Sequence, residues 1–164
     1  MLGVDIASDF SVSQHIQQLV TASAQTVYAL RVLRSRGLSD TALQHVYRAT
    51  VIARLMYAAS AWRGLASTSE RQRIDSVIDR ARRNGYCAPD LPSFDVLCDD
   101  TDDELFSKAV RLSNHVLHRL LPPPSIASQS NNLRQRTHSL QLPDHTTHLS
   151  DKNFITHVLY KSAY

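Results

Sequence analysis

Glycine and proline are scarce in this chain: 4 Gly and 6 Pro in 164 residues, with three of the prolines consecutive at Pro122, Pro123 and Pro124. Few breakers leave most of the sequence free to form helices and exclude a collagen-like or linker-rich protein. Cysteine is nearly absent as well. Cys87 and Cys98 are the only two, and without a signal-like N-terminus they read as reduced thiols of an intracellular protein, which excludes a disulfide scaffold. No stretch approaches the roughly 18 apolar residues of a membrane span, so a soluble protein with no membrane partner is expected. A glycine-rich phosphate loop, a Gly-x-Ser-x-Gly elbow and a Cys-x-x-Cys pair are all missing, and nothing points to a small-molecule substrate.

What remains is ordinary globular composition, 43% hydrophobic and 20% charged, long enough for one domain with a real core. Its charge is unevenly placed. Residues 1–86 carry 11 arginines against six acids, residues 87–121 three basic against seven acidic residues, and residues 122–164 four against two, for a net +3. Fifteen of the 18 basic residues are arginine, the side chain suited to bidentate contact with phosphate or carboxylate. A basic first half points toward nucleic acid.

Apolar spacing predicts an all-α fold, a small antiparallel helical bundle with a short N-terminal strand remnant and a poorly ordered C-terminal tail. Leu2, Val4 and Ile6 alternate like an edge strand with nothing nearby to pair with, or like a frayed terminus. A first helix spans about 13–36, closed by Gly37 in a left-handed stop. Ser39 to Trp62 reads as one over-hydrophobic central helix. Steps of 100° from Leu43 place Val46, Tyr47, Thr50, Ala53, Tyr57 and Ala61 on one stripe, with Tyr47, Tyr57 and Trp62 as core anchors and Arg54 awkwardly near that stripe. Ser67 to Glu70 is a capping box opening a third helix, with Ile74, Val77, Ile78 and Ala81 facing inward. Ser93 caps a short segment, and Thr101 to Glu104 is a second capping box that opens a helix ending at Pro122. Beyond Ser125 loops are expected, with Asp151 to Lys161 the one later candidate for a regular element. The domain reading is a helical domain at 1–86, a helical extension at 87–121 and a loop-rich, partly disordered tail at 122–164.

The third helix carries Arg71 and Arg82 on one flank of its inner stripe, Arg73 and Arg80 on the other, and Arg83 pointing away. It is either a nucleic-acid-binding surface, with Arg34, Arg36 and Arg63 as helpers, or a solvated face partly neutralised by Asp75 and Asp79. Two other groupings resemble catalytic chemistry. Asp95, Asp99, Asp100, Asp102, Asp103 and Glu104 could hold divalent cations, but helix capping around Thr101 is the simpler reading. His115/His118, His145/His148 and the two cysteines lack the paired doublets of a zinc site. No catalytic or metal-binding residue is assigned.

Leu2-Gly3-Val4 with Ile6, then His15-Ile16, Leu30 to Leu33, Gly37-Leu38-Ser39, Tyr47, Tyr57-Ala58 and Trp62 follow an order that resembles the C-terminal part of reverse transcriptases from non-LTR (LINE-type, jockey-like) retrotransposons. Asn114 to His118 with Pro124, Leu133 to His138, Leu142-Pro143 and Asn153-Phe154 to Tyr160-Lys161 extend the resemblance, although Gln135 stands where that family usually has proline. The resemblance implies a thumb, the helical subdomain that clamps RNA or DNA template–primer beside the polymerase palm and fingers. It also implies that this stretch lacks the catalytic aspartates. It would then be no enzyme by itself and would hold no cofactor, Mg²⁺ belonging to the palm. The competing expectation is a helical interaction module or a relic without function, betrayed by apolar surface left uncovered.

Overall fold

The computed structural model of the chain describes residues 3–125, 138–144 and 147–161. It is helical, and two compact units, residues 1–98 and 99–164, divide it. Among the described residues no β-strand forms, and an isolated antiparallel bridge joins Pro124 to Leu140. The strand remnant expected at the N-terminus is therefore corrected. Residues 3–7 are irregular, because no second strand among the described residues takes up their backbone groups.

The first unit is built from three long helical stretches. Helix α1, Ser13–Ser35, starts where Ser11 Oγ accepts the Ser13 N–H at 3.3 Å. It stops at Gly37, whose φ of +90° turns the chain back. The Gly37 N–H donates to the Arg34 carbonyl (3.0 Å) and the Leu38 N–H to the Leu33 carbonyl (3.1 Å), so two orphan carbonyls of the last turn are satisfied. Ser39 then caps α2, Asp40–Tyr47, accepting the Ala42 N–H at 3.3 Å.

The expected single helix 39–62 is interrupted twice. Arg48–Ile52 is a π-helical turn, in which the Ala53 N–H reaches back five residues to the Arg48 carbonyl. Thr50 Oγ1 donates to the Val46 carbonyl at 2.6 Å, a side-chain bond that competes with the backbone for that acceptor. The helix resumes as α3, Ala53–Met56, and ends at Tyr57 in extended conformation, followed by Ala58 at φ +50°. After the break come α4, Ala59–Trp62, and a 3₁₀ turn, Arg63–Leu65. The Tyr57 carbonyl freed by the break accepts from the Trp62 indole Nε1–H at 3.1 Å.

The extra residue of the π turn moves the buried stripe by one position. Leu43, Tyr47, Val51, Leu55, Ala59 and Trp62 are buried, whereas Ala53, Tyr57 and Ala61 from the expected stripe are exposed. Tyr57 is thus no core anchor, and Arg54 is exposed, which removes its apparent conflict with burial. The helix is not surrounded on all sides.

Helix α5, Thr68–Arg83, opens with the expected capping box: Ser67 Oγ accepts the Glu70 N–H at 3.3 Å and Glu70 Oε2 accepts the Ser67 N–H at 2.8 Å. It closes as α1 does, on Gly85 at φ +71°, with Gly85 N–H to Arg82 O (3.0 Å) and Tyr86 N–H to Ala81 O (2.9 Å). Consecutive stretches run antiparallel, so α1 and α5 lie parallel. Ser13 Oγ donates to Glu70 Oε1 at 2.5 Å at their N-terminal ends, and Arg34 Nη1 donates to the Asn84 carbonyl at 2.7 Å at their C-terminal ends. Ile16, Leu30, Leu43, Tyr47, Leu55, Trp62, Ile74 and Ile78 fill the core between them.

Burial opposes ionisation of Glu70, but hydrogen bonds from Ser13 and from the Ser67 side chain and backbone, with Arg73 nearby, outweigh it and hold its carboxyl below the ordinary value of 4.5. A carboxyl with a depressed folded-state pKa stabilises fully above its unfolded value and loses that stabilisation as pH falls through the folded one. Glu70→Gln is therefore expected to cost about 0.5–1.5 kcal/mol at neutral pH. Its urea midpoint should change less than that of the parent between neutral pH and pH values below 4.5; parallel pH profiles would contradict this.

Helix α6, Phe94–Arg111, is continuous. Its start is held by Asp75, which accepts the Phe94 N–H at 2.9 Å, and by Ser93, whose carbonyl accepts the Leu97 N–H at 3.1 Å. The second capping box is a correction: Thr101 to Glu104 lie inside α6, where their N–H groups need no cap. The unit boundary falls within α6, after Cys98. The expected boundary at residue 86 falls inside the first unit, because Cys87, Phe94 and Cys98 are buried in its core.

In the second unit, Phe106, Val158 and Leu159 form a small core. It draws on α6 and on α8, Phe154–Lys161, which follows a single helical turn, α7, His148–Asp151, so most of the candidate element at Asp151 to Lys161 is helical. His138 Nδ1 accepts the Leu140 N–H (3.2 Å), which leaves its Nε2–H to donate to the Leu159 carbonyl (3.1 Å). Leu133 to Thr137, and the part of the tail expected to be poorly ordered around them, lie outside the described residues. No described helix is long and apolar enough to cross a membrane.

Candidate nucleic-acid interface

The eight arginines singled out from the sequence divide into two groups. Four are engaged inside the first unit. Arg34 spans three partners: the Asn84 carbonyl, Asp40 at 3.2 Å, and the Tyr86 ring, with its guanidinium carbon 4.3 Å from the centroid. Arg63 and Arg71 share Asp95, at 3.3 and 3.7 Å, and the Arg63 side chain is only 11% exposed. Arg82 donates to Asp79 Oδ1 at 2.5 Å and to the Leu91 carbonyl at 2.7 Å. These contacts position helices, and the guanidinium groups that make them are already partly neutralised.

The other four face outward. Arg73 donates to the Gln17 side-chain oxygen, Arg83 makes only a long bond of 3.4 Å to the Asp79 carbonyl, and Arg36 and Arg80 are exposed. None of the four has a carboxylate within ion-pair distance among the described residues. Arg73 and Arg80 flank a shallow cleft of about 240 Å³ between α1 and α5, floored by Val20, Ala24, Val27 and Val77. Seven residues of helix separate these two, an axial distance of about 10 Å, or roughly three nucleotide steps along a strand.

Three further outward arginines, Arg31, Arg48 and Arg54, are exposed without ion pairs to described residues. They were less conspicuous because they are spread over α1, the π turn and α3, whereas α5 concentrates five. A second cleft, of about 640 Å³, opens beside the π turn and includes His15, Gln18, Thr50, Arg54 and Tyr57. His15 is 5% exposed, its Nε2 is buried without a hydrogen-bond partner, and its ring meets Trp62 edge-on at 5.2 Å. Burial holds its pKa below 6.5, with Asp5 opposing, so the imidazole is neutral at physiological pH.

The acidic groups are arranged otherwise than expected. Asp99 and Asp102, one turn apart on α6, come together with His157 of α8, their possible ligand atoms within 4.8 Å of one another. Lys161 already lies 2.9 Å from Asp103 and 4.0 Å from Asp99, and Glu104 pairs with Lys108 at 2.6 Å. Asp99 and Asp103 thus pair across helices with Lys161, and Glu104 pairs along α6. His115 and His118 do not act as a pair: His115 Nδ1 accepts the Leu117 N–H and His118 Nδ1 meets the Ala109 carbonyl at 2.8 Å. The side chains of His145 and His148 lie outside the description. Cys87 and Cys98 are buried and not joined in a disulfide, and burial pushes the Cys87 pKa up, which makes it a poor nucleophile.

Tyr28, Val32 and Leu33 are exposed on the second half of α1. No protein-family model matches the chain, and no curated protein or solved structure is detectably similar to it.

Proposed function

We propose that the first unit binds nucleic-acid backbone without sequence preference, as a thumb-like module of the kind that the resemblance to non-LTR retrotransposon reverse transcriptases implies. The observation that supports this most is the contrast within one helix. Arg71 and Arg82 are consumed by carboxylates and a carbonyl, while Arg73, Arg80 and Arg83 stay turned outward with no carboxylate at ion-pair distance among the described residues. Phosphates are the counterions such a row fits, and the spacing of Arg73 and Arg80 along α5 lets both reach one strand.

Binding of a labelled duplex, followed by anisotropy over a series of salt concentrations, tests this. Replacing Arg73, Arg80 and Arg83 together with alanine should flatten the log–log salt slope by about 2–3, at roughly 0.9 for each phosphate no longer neutralised. All three side chains are on the surface, so the fold should survive. An unchanged affinity and slope would remove the assignment.

A second reading, a helical interaction module, is favoured by the exposed Tyr28 and Val32, neighbours one turn apart on α1, and by the exposed Leu33, since uncovered apolar surface marks protein contacts. Self-association that rises with concentration, in a chain without nucleic-acid affinity, would support it over the first.

A further inference from the structure

We propose that the cleft beside the π turn holds one unpaired nucleotide, with the base between Tyr57 and His15 and the phosphate on Arg54. The proposal rests on the backbone-binding reading for the strand that delivers this nucleotide, and goes beyond it in assigning a separate site.

Three independent features converge there. The first is His15, an imidazole more than nine-tenths buried whose Nε2 has no partner. Buried polar groups are nearly always hydrogen-bonded, and an exception needs an explanation. A neutral imidazole offers one donor and one acceptor, which the mixed edge of a nucleobase can meet in either tautomer once a turn of the ring brings the enclosed Nε2 to the cleft. The second is Arg54, exposed and without a carboxylate among the described residues, lining the same cleft. The third is Tyr57, 47% exposed at a helix break, an aromatic face placed for stacking on a base.

The remaining wall is mostly small or apolar, Gly3, Leu19, Ala22, Ala49 and Ala53, with the polar Gln18 and Thr50. That composition leaves room for a flat ring, and about 640 Å³ lies within the range of roughly 300–1,000 Å³ usual for ligand pockets. Unpaired bases are bound in this way, by stacking together with hydrogen bonds to their edges. The π turn forms part of the wall. It carries Ala49 and Thr50, and π turns recur at functional sites.

The molecule has its own reporter, because Trp62 is its single tryptophan and touches the His15 ring. Adenosine 5′-monophosphate titrated into the full chain should change Trp62 emission saturably. Arg54→Ala should weaken the apparent affinity by about tenfold or more, and Tyr57→Leu by a smaller factor, while both variants keep the parent's thermal transition. Ribose 5-phosphate, which lacks the base, should give no saturable change. The assignment is overturned if the mononucleotide gives no saturable response, if Arg54→Ala leaves the response intact, or if ribose 5-phosphate matches it.

Duplex binding of the same preparation separates the two readings. A normal salt slope without a mononucleotide response removes the cleft alone. A mononucleotide response without duplex binding removes the arginine face and leaves a mononucleotide site. The triple alanine variant at Arg73, Arg80 and Arg83 should respond to the mononucleotide as the parent does.

Discussion

Replacing Trp62 with alanine is expected to lower the stability of the first unit by about 3–5 kcal/mol. The side chain is fully buried and stacks on Phe94, with ring centroids 5.7 Å apart at 18°. It also packs against His15 and donates to the Tyr57 carbonyl. Alanine removes all of this at once. It leaves a cavity where α1, α4 and the start of α6 meet, and it strips the helix break at Tyr57 and Ala58 of the hydrogen bond that satisfies its carbonyl. Since small domains are stable by only about 5–15 kcal/mol, the loss would bring the variant close to unfolding. Urea denaturation followed by far-UV circular dichroism measures it, and a loss below about 1 kcal/mol would mean that Trp62 is not the centre of this core.

The second large effect is a contrast between two deletions. Removing Ala49 takes one residue from the π turn. The positions after it then fall one step back, so Val51, Leu55, Ala59 and Trp62 return to the regular helical stripe that starts at Leu43 and Tyr47. Such a deletion should cost no more than about 1–2 kcal/mol. Removing Ser76, equally exposed but inside the regular helix α5, turns Ile78 and Ala81 off the core. It should cost more than about 5 kcal/mol, as two or more buried side chains are displaced together. Equal losses from the two deletions, read from cooperative thermal melts, would contradict the view that the π turn is an accommodated extra residue.

That contrast also explains which parts of the fold could be read from the residues. Signals contained within four or five positions were legible: Gly37 as a helix stop, Ser39 as a cap, and Ser67 with Glu70 as a reciprocal box. Each depends only on local backbone groups. The stripe from Ser39 to Trp62 was not legible past Tyr47, because a fixed 100° step has no means of registering an inserted residue. Thr101 to Glu104 has the composition of a cap, yet it lies inside α6, where Glu104 pairs with Lys108 and Asp103 with Lys161, which lies far off in sequence. Five arginines on α5 were visible as a basic surface. The Arg82–Asp79 pair is local to α5, but that Arg71 reaches Asp95 and Arg82 the Leu91 carbonyl depended on where α6 begins and how the chain returns from Gly85. His15 was visible only as part of a family resemblance. Its buried, unpartnered nitrogen is a property of packing.

The parallel arrangement of α1 and α5 bears on how the first unit opens. Helix ends usually fray one by one, on their own timescales. Here Ser13 and Glu70 fasten the two starting turns together, and at the far end a single guanidinium, that of Arg34, closes on the terminal carbonyl of α5 while lying over Tyr86. Releasing either last turn means breaking the shared clasp, so the two helices gain and lose amide protection as one cooperative segment.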